Sequence, residues 1–197
     1  MTDKAKLRKT IKTRLNAITR KEFNAAGIAA ARQLLCLPRL NEARSVLVFL
    51  SMNDEIDTFP VMEAILKTGK ALFIPEIEGE MLVFYRIDQN DLKYCHASAK
   101  NIYNGSSIRK PVKNPAFCLN PEDFPVLVLT PGLAFDHNFN RLGRGKGFYD
   151  RFFAALDQKD RSYTALGFCM DCQLIDKVPT DSLDKKVDGL FTEKRII

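Results

Sequence analysis

The chain has 197 residues, of which 46% are hydrophobic and 27% charged, and 30 basic against 24 acidic side chains leave a net charge of +6. That length suits a single domain, 1–197, with a core large enough to stand without staples, and the composition is that of an ordinary globular protein. No apolar run approaches the roughly 18 residues of a membrane span, and the basic start MTDKAKLRKTIKTRLN lacks the apolar stretch of a secretory signal.

Residues 4–17 read as an amphipathic helix, with Leu7, Ile11, Leu15 and Ile18 at helical spacing. Lys4, Arg8 and Lys12 recur at four-residue steps on a neighbouring face. Thr19 to Glu22 spells a capping box that opens a second helix to about Leu35, and Pro38 closes that region. SVLVFL, residues 45–50, is a continuous β-branched and apolar run, the mark of a buried strand. The next helix takes Asp57 or Thr58 as its cap and Pro60 in its first turn, and Gly69 stops it. ALFIPEI and MLVFYRI read as two further strands. Residues 88–124 read as irregular, with SSIRKPVKNP as a long loop. PVLVLTPG is a buried strand ending in a turn, GFYDRFFAAL a helix, and YTALGFC and DGLFTE late strands. Strands alternating with helices predict an α/β fold whose largely parallel sheet is covered on both faces.

Five scattered cysteines and two histidines give no metal spacing beyond the single pair Cys169 and Cys172, which reads as two ordinary thiols. The positive charge suits an anionic partner such as a nucleotide or a polyglutamate-like tail. Finger spacings, ribonucleoprotein aromatics and a long basic tail are all missing, so no nucleic-acid partner is expected. Asp3 and a start without serine argue against a transit peptide, and the cytoplasm is the expected location.

The stretch with chemistry in it is RLGRGKGFYDRF, Arg141 to Phe152. It is neither a P-loop nor the dinucleotide fingerprint. Gly143, Gly145 and Gly147 let backbone N–H groups turn toward an anion. A helix start near Phe148 favours negative charge, and Arg141, Arg144 and Lys146 would neutralise phosphate oxygens. Asp150 would repel those phosphates unless a divalent cation, magnesium above all, bridged them. Composition alone does not separate this phosphate cradle from a solvated connector in which Asp150 is only a first-turn helix charge.

RLGRGKGFYDRF, with VLVLTPGLAFD before it, resembles the signature of the 5-formyltetrahydrofolate cyclo-ligase family. KAKLR at the start, FLSMNDEIDT, FIPEI, and QLIDKVPTDSLDKKVDGLFTE near the end resemble further family segments in family order. The resemblance implies a Rossmann-like, three-layer α/β sandwich around a mixed, mostly parallel central sheet. It also implies an ATP-dependent reaction in which 5-formyltetrahydrofolate becomes 5,10-methenyltetrahydrofolate, with ADP and phosphate released. The γ-phosphoryl group passes to the formyl oxygen, the substrate's own N10 attacks the formyl carbon, and phosphate leaves. The nucleophile belongs to the substrate, so the protein positions two ligands and neutralises charge.

Site residues follow from the same resemblance. Lys4, Ala5, Lys6, Leu7 and Arg8 would contact ATP from the first helix. Arg141, Leu142, Gly143, Arg144, Gly145, Lys146, Gly147, Phe148 and Tyr149 would cradle the triphosphate. Within that set Arg144, Lys146 and Tyr149 would act in the transfer itself, and residues 144–148 would also touch the folate. Glu55 would hydrogen-bond the pterin and Leu50 pack against it, while Asp150 and Asp184 would hold magnesium. The resemblance implies ATP and a folate, with or without a polyglutamate tail, as substrates, and a monomer is the expected state. The chain departs from the family pattern at Lys110-Pro111, where many members carry Glu-Pro, and no site is assigned there; Leu183 stands where many bacterial members have His.

Overall fold

The computed structural model describes residues 2–93, 95 and 114–197, so the loop expected at SSIRKPVKNP, His96 and Lys110-Pro111 lie outside or almost wholly outside the described residues. The chain opens with helices α1 (Asp3–Leu15), α2 (Arg20–Leu34) and α3 (Pro38–Glu42), then strand β1 (Ser45–Val48), helix α4 (Phe59–Lys67), and strands β2 (Ala71–Glu78) and β3 (Met81–Ile87). After the undescribed stretch come β4 (Val126–Thr130), β5 (Ala134–Asp136), β6 (Arg141–Leu142), helix α5 (Phe148–Gln158), β7 (Tyr163–Phe168), β8 (Leu174–Ile175) and β9 (Gly189–Phe191).

The unbroken apolar runs decide the architecture. Every residue of β1 and of β4 is buried, which requires cover on both faces of the sheet. The main sheet has the order β3-β2-β1-β4-β7-β9. All its pairings are parallel except the β2–β3 hairpin, as expected for a mixed, mostly parallel, Rossmann-like sheet. Phe23, Phe84, Phe135, Phe153, Phe168 and Phe191 are the largest side chains sealed in the core.

Local chemistry sets the helix ends. Thr19 and Glu22 form the expected capping box on α2. At α4 the cap is Asp57, whose Oδ1 accepts from Phe59 N at 3.1 Å, while the Thr58 hydroxyl turns back to accept from Ser51 N. Gly147 precedes α5 at φ 67°, a left-handed conformation that glycine adopts without strain.

Two expectations are corrected and one element is added. Pro38 does not simply end the second helical region; it opens α3, where its fixed φ suits a first helical turn. Residues 88–124 are not irregular throughout: 89–93 are helical, capped by Asp88 Oδ1 accepting from Asn90 N and Asp91 N at 2.7 and 2.9 Å. A second small sheet, β6-β5-β8, flanks the glycine loop and was not expected at all.

The sheet changes direction between β1 and β4: the chain runs from β1 outward to β2 and from β4 outward to β7. Ligands of open α/β sheets bind beyond the carboxyl ends of the strands at such a switch point. The segment after β1 carries Leu50 and Glu55, and the segment after β4 leads through β5 and β6 into the glycine loop.

Candidate active site

The turn after β1 is docked on α2. Arg20 reaches it through Nη1, which donates to Met52 O and Glu55 O, both at 3.3 Å, and through Nη2, 3.1 Å from Asp57 Oδ2. Asn24 Nδ2 donates to the same Asp57 oxygen at 3.0 Å. A Cβ on Gly27 would stand 2.1 Å from Asp57 O, so only a glycine lets the turn lie this close to the helix. The result is a fixed platform that buries Glu55 to 7% exposure.

Glu55 is held at both oxygens. Oε2 accepts from Met52 N at 2.8 Å, and Oε1 accepts from Arg144 Nη2 at 3.0 Å. Arg144 also binds Asp54, donating from Nη2 to Oδ1 at 2.6 Å and from Nη1 to Oδ2 at 3.1 Å. One guanidinium therefore joins the glycine loop to the turn after β1. Burial pushes the Glu55 carboxyl above the usual carboxylate range; Arg144 and the Met52 N–H pull against it, and the Asp54 charge adds to the upward push. Burial works against the Arg144 charge too, but the two carboxylates prevail and raise its pKa further.

At the other end of the loop, Arg141 lies in β6 and is 8% exposed. Its Nη2 donates to Asp150 Oδ1 at 2.7 Å, and its guanidinium stands 5.6 Å from the centre of the Tyr149 ring. Asp150 is thus neutralised from within the same loop. Tyr149 is buried, its hydroxyl and Arg141 Nε have no hydrogen-bond partner in the protein, and burial drives the phenol pKa far upward. A phenol so placed stays protonated and remains a donor.

Helix α1 closes the third side. Arg8 Nε donates to Gly143 O at 2.9 Å, and its guanidinium would lie 3.3 Å from a Cβ on Gly145, which sits at φ 101°. Lys4 Nζ pairs with Asp181 at 2.7 Å and with Asp184. Lys185 N donates to Asp150 Oδ1 at 3.2 Å, which brings the segment carrying Asp184 against the start of α5.

The structure thus assembles Lys4, Arg8, Glu55, Arg141, Gly143, Arg144, Gly145, Tyr149, Asp150 and Asp184 from four separate stretches of chain. Lys6 and Lys146 are exposed, Ala5 and Phe148 are partly covered, and Leu142 is buried in β6. Leu7 and Leu50 are half-buried against the core. Cys169 is buried and Cys172 exposed as free thiols, the ordinary reading of that pair.

Sequence reasoning missed Asp54 and Asp181, the acids that pair with Arg144 and Lys4. It also missed Asp136, which is fully buried and collects N–H groups from Asn138, Asn140 and Val178. Burial would raise the Asp136 pKa, but those bonds and the Asn140 amide outweigh it and hold the carboxyl below its usual range. Gln173 was quoted only as part of a motif; its buried Nε2 donates to Gly132 O and Leu133 O at 2.8 and 3.1 Å and pins the turn after β4.

A magnesium ion fits this donor set. Both protein contacts of the Asp150 carboxylate fall on Oδ1, and those of Asp184 fall on Oδ2, so each acid keeps an oxygen for a cation. No group of three or more His, Cys, Asp or Glu among the described residues could hold a metal alone. A cation here would lean on phosphate oxygens and water, the usual habit of magnesium in ATP enzymes. Among the described residues no helix is long and apolar enough to cross a membrane.

The chain is similar to proteins of one family over nearly its whole length. The family model for the 5-formyltetrahydrofolate cyclo-ligase family matches residues 1–193. The 5-formyltetrahydrofolate cyclo-ligase of Escherichia coli strain K12 is 30% identical over 188 residues, covering 94% of this chain and 98% of that protein. The mouse protein of the same name is 28% identical over 192 residues, covering 95% of this chain and 92% of its own. The solved structure of the Aquifex aeolicus 5,10-methenyltetrahydrofolate synthetase superposes with a TM-score of 0.74 at 26% identity, over 99% of this chain and 92% of that one. The Mycoplasma pneumoniae synthetase shares the fold with a TM-score of 0.68 at 19% identity, over 98% of this chain and 99% of that one. The chain belongs to the 5-formyltetrahydrofolate cyclo-ligase family.

Proposed function

We propose that the cleft between α1, the glycine loop and the turn after β1 carries the family's reaction, with ATP on the α1 side and the folate on the Glu55 side. The enzyme converts 5-formyltetrahydrofolate to 5,10-methenyltetrahydrofolate with ATP as co-substrate. The observation that carries the division is the Arg8 bond to Gly143 O, which sets the basic face of α1 against the glycine loop.

In this reading the 141–149 loop and Lys4 through Arg8 hold the triphosphate. Lys146, exposed at the loop tip, meets the γ-phosphoryl group as it transfers. Glu55 accepts the pterin N–H donors, and Leu50 and residues 144–148 pack around the folate. Arg144 stands between the two halves. The Tyr149 hydroxyl, buried and without a partner in the protein, is the donor this reading assigns to the oxygen being phosphorylated.

The step balances without a protein nucleophile. The formyl oxygen forms a bond to the γ-phosphorus as the bond to ADP breaks. N10 then attacks the formyl carbon, the carbon–oxygen bond breaks, phosphate leaves, and N10 gives up its proton to solvent. Bound at Asp150 and Asp184, magnesium would neutralise the phosphate oxygens. We take residues 1–197 as one domain acting as a cytoplasmic monomer, with a polyglutamate tail accepted on the substrate; the net charge of +6 supports an anionic partner of that kind.

The test is spectrophotometric. The methenyl product absorbs strongly in the near ultraviolet, and its appearance from 5-formyltetrahydrofolate is expected only when ATP and magnesium are both present. Product at full rate without nucleotide would overturn the reading.

A further inference from the structure

We propose that Asp54 is a positioning residue for the folate: it grips the outer edge of the Arg144 guanidinium and so fixes the Glu55 carboxylate that faces the pterin. The proposal rests on the reading of Glu55 as the folate-recognition residue.

Asp54 and Glu55 are sequence neighbours, yet the turn brings both onto one guanidinium. Asp54 takes it fork to fork, with Nη2 at 2.6 Å and Nη1 at 3.1 Å. Glu55 takes it with a single oxygen, from Nη2 at 3.0 Å and Nε at 3.3 Å. The shortest contact and the bidentate geometry both belong to Asp54. Bidentate pairs are the ones that fix direction as well as contribute energy.

Arg144 needs such a grip. It is flanked by Gly143 and Gly145, which offer no side chains to pack against it. Its own side chain stays 29% exposed. A long arginine in that setting takes its rotamer from its acceptors. Removing Asp54 leaves only the two contacts to Glu55 Oε1, and freedom gained by Arg144 passes directly to that oxygen. The other Glu55 oxygen stays tied to Met52 N, so the carboxylate would keep its place but lose its fixed tilt.

The arrangement also commits most of the Arg144 guanidinium to the turn that carries Glu55. Its bonds to the two acids use four of the five guanidinium N–H groups. Held this way, Arg144 fixes an acid for the pterin from its place between the two halves of the site.

The experiment compares Asp54→Ala, Asp54→Asn and Glu55→Ala by steady-state KM for each substrate, by calorimetric titration of 5-formyltetrahydrofolate without ATP, and by thermal melting. Asp54→Ala is expected to weaken folate binding about tenfold and leave the ATP KM within about twofold. Asp54→Asn keeps one acceptor oxygen and should fall between wild type and Ala. Unchanged folate affinity in Asp54→Ala, where Glu55→Ala loses it, overturns the proposal while the Glu55 reading stands. Equal loss of ATP and folate binding, or a collapsed melting transition in both Asp54 variants, also overturns it, because Asp54 would then hold the fold. Intact folate affinity in Glu55→Ala removes the underlying reading, and the proposal with it.

Discussion

Glu55→Gln should trade function for stability. The substitution keeps the size of the side chain and removes its charge. For the ligand, an ionised carboxylate facing two pterin N–H donors becomes an amide with one acceptor oxygen and an NH2 that meets a donor head-on. Losing that charge-assisted interaction should cost about 2–3 kcal/mol, or about 30- to 150-fold in folate affinity. For the fold the sign reverses. Burial and the Asp54 charge raise the Glu55 carboxyl above its unfolded value, so only between the two values does the native state keep a proton that the unfolded chain has released, and above both the carboxylate is ionised in either state. Its contribution to stability is fully present below the ordinary carboxylate range and is lost as pH rises through the raised folded value. Gln carries no such dependence, and Arg144 keeps its bidentate partner Asp54 in the variant. The melting temperature of Glu55→Gln should therefore match wild type in acid and exceed it near neutrality. Melting curves across pH, with calorimetric titration of 5-formyltetrahydrofolate and of ATP, read both halves. A variant that melts lower than wild type at neutral pH would refute the stability argument. One that binds folate normally but loses ATP would refute the placement of the two substrates.

Chelating magnesium should abolish product formation and added magnesium restore it, and full turnover in chelator would remove the metal from the mechanism. Asp150→Asn should cost about 100-fold in turnover, because the acid beside the phosphates no longer draws in a cation. It should also lower the melting temperature by about 2–6 °C through its weakened bond to buried Arg141, and a near-normal rate at low magnesium would reduce Asp150 to a structural residue. Arg151 ties the β2–β3 hairpin to the glycine loop, donating from Nε and Nη2 to Glu80 O at 3.0 and 2.6 Å and from Nη1 to Lys146 O at 3.0 Å. Arg151→Ala should therefore raise the ATP KM about fivefold and leave folate titration unchanged, and the reverse pattern would show that the loop serves the other substrate.

The main sheet was legible because its signals are local. SVLV and VLVLT announce burial on both faces with no partner in view, and the Thr19–Glu22 box sits where α2 begins. Pro38 misled because its fixed φ both ends one helix and starts another; only the following Leu40, buried under α3, decides between them. The helical turn at 89–93 carried a usable signal that was passed over: Asp88 precedes Asp91 by three residues, and each carboxylate accepts the other's backbone N–H. The small β6-β5-β8 sheet carried none. Its strands are two or three residues long, too short for any period, and it is organised by a buried Asp136 whose bonds reach to Val178, 42 residues away.

The glycine loop was legible for the same reason as the strands, since its backbone demands are met by its own residues: Gly145 and Gly147 hold positive φ. The pairing of its charges was not. Arg144 finds Asp54 at a separation of 90 residues, and Lys4 finds Asp181 at 177. A net charge of +6 suggests a basic site, yet beside Arg8 and Lys146 the other three cations, Lys4, Arg141 and Arg144, are paired with Asp54, Glu55, Asp150, Asp181 and Asp184. Five cations against five acids cannot by themselves neutralise a triphosphate. The excess positive charge of the chain lies elsewhere, and on our proposal the remaining phosphate charge is met by a cation that comes in with the nucleotide. The puzzle posed by an acid among phosphate ligands is thus half answered by the fold, since Arg141 holds Asp150 through one oxygen; the other half rests on our proposal that the second oxygen takes the metal.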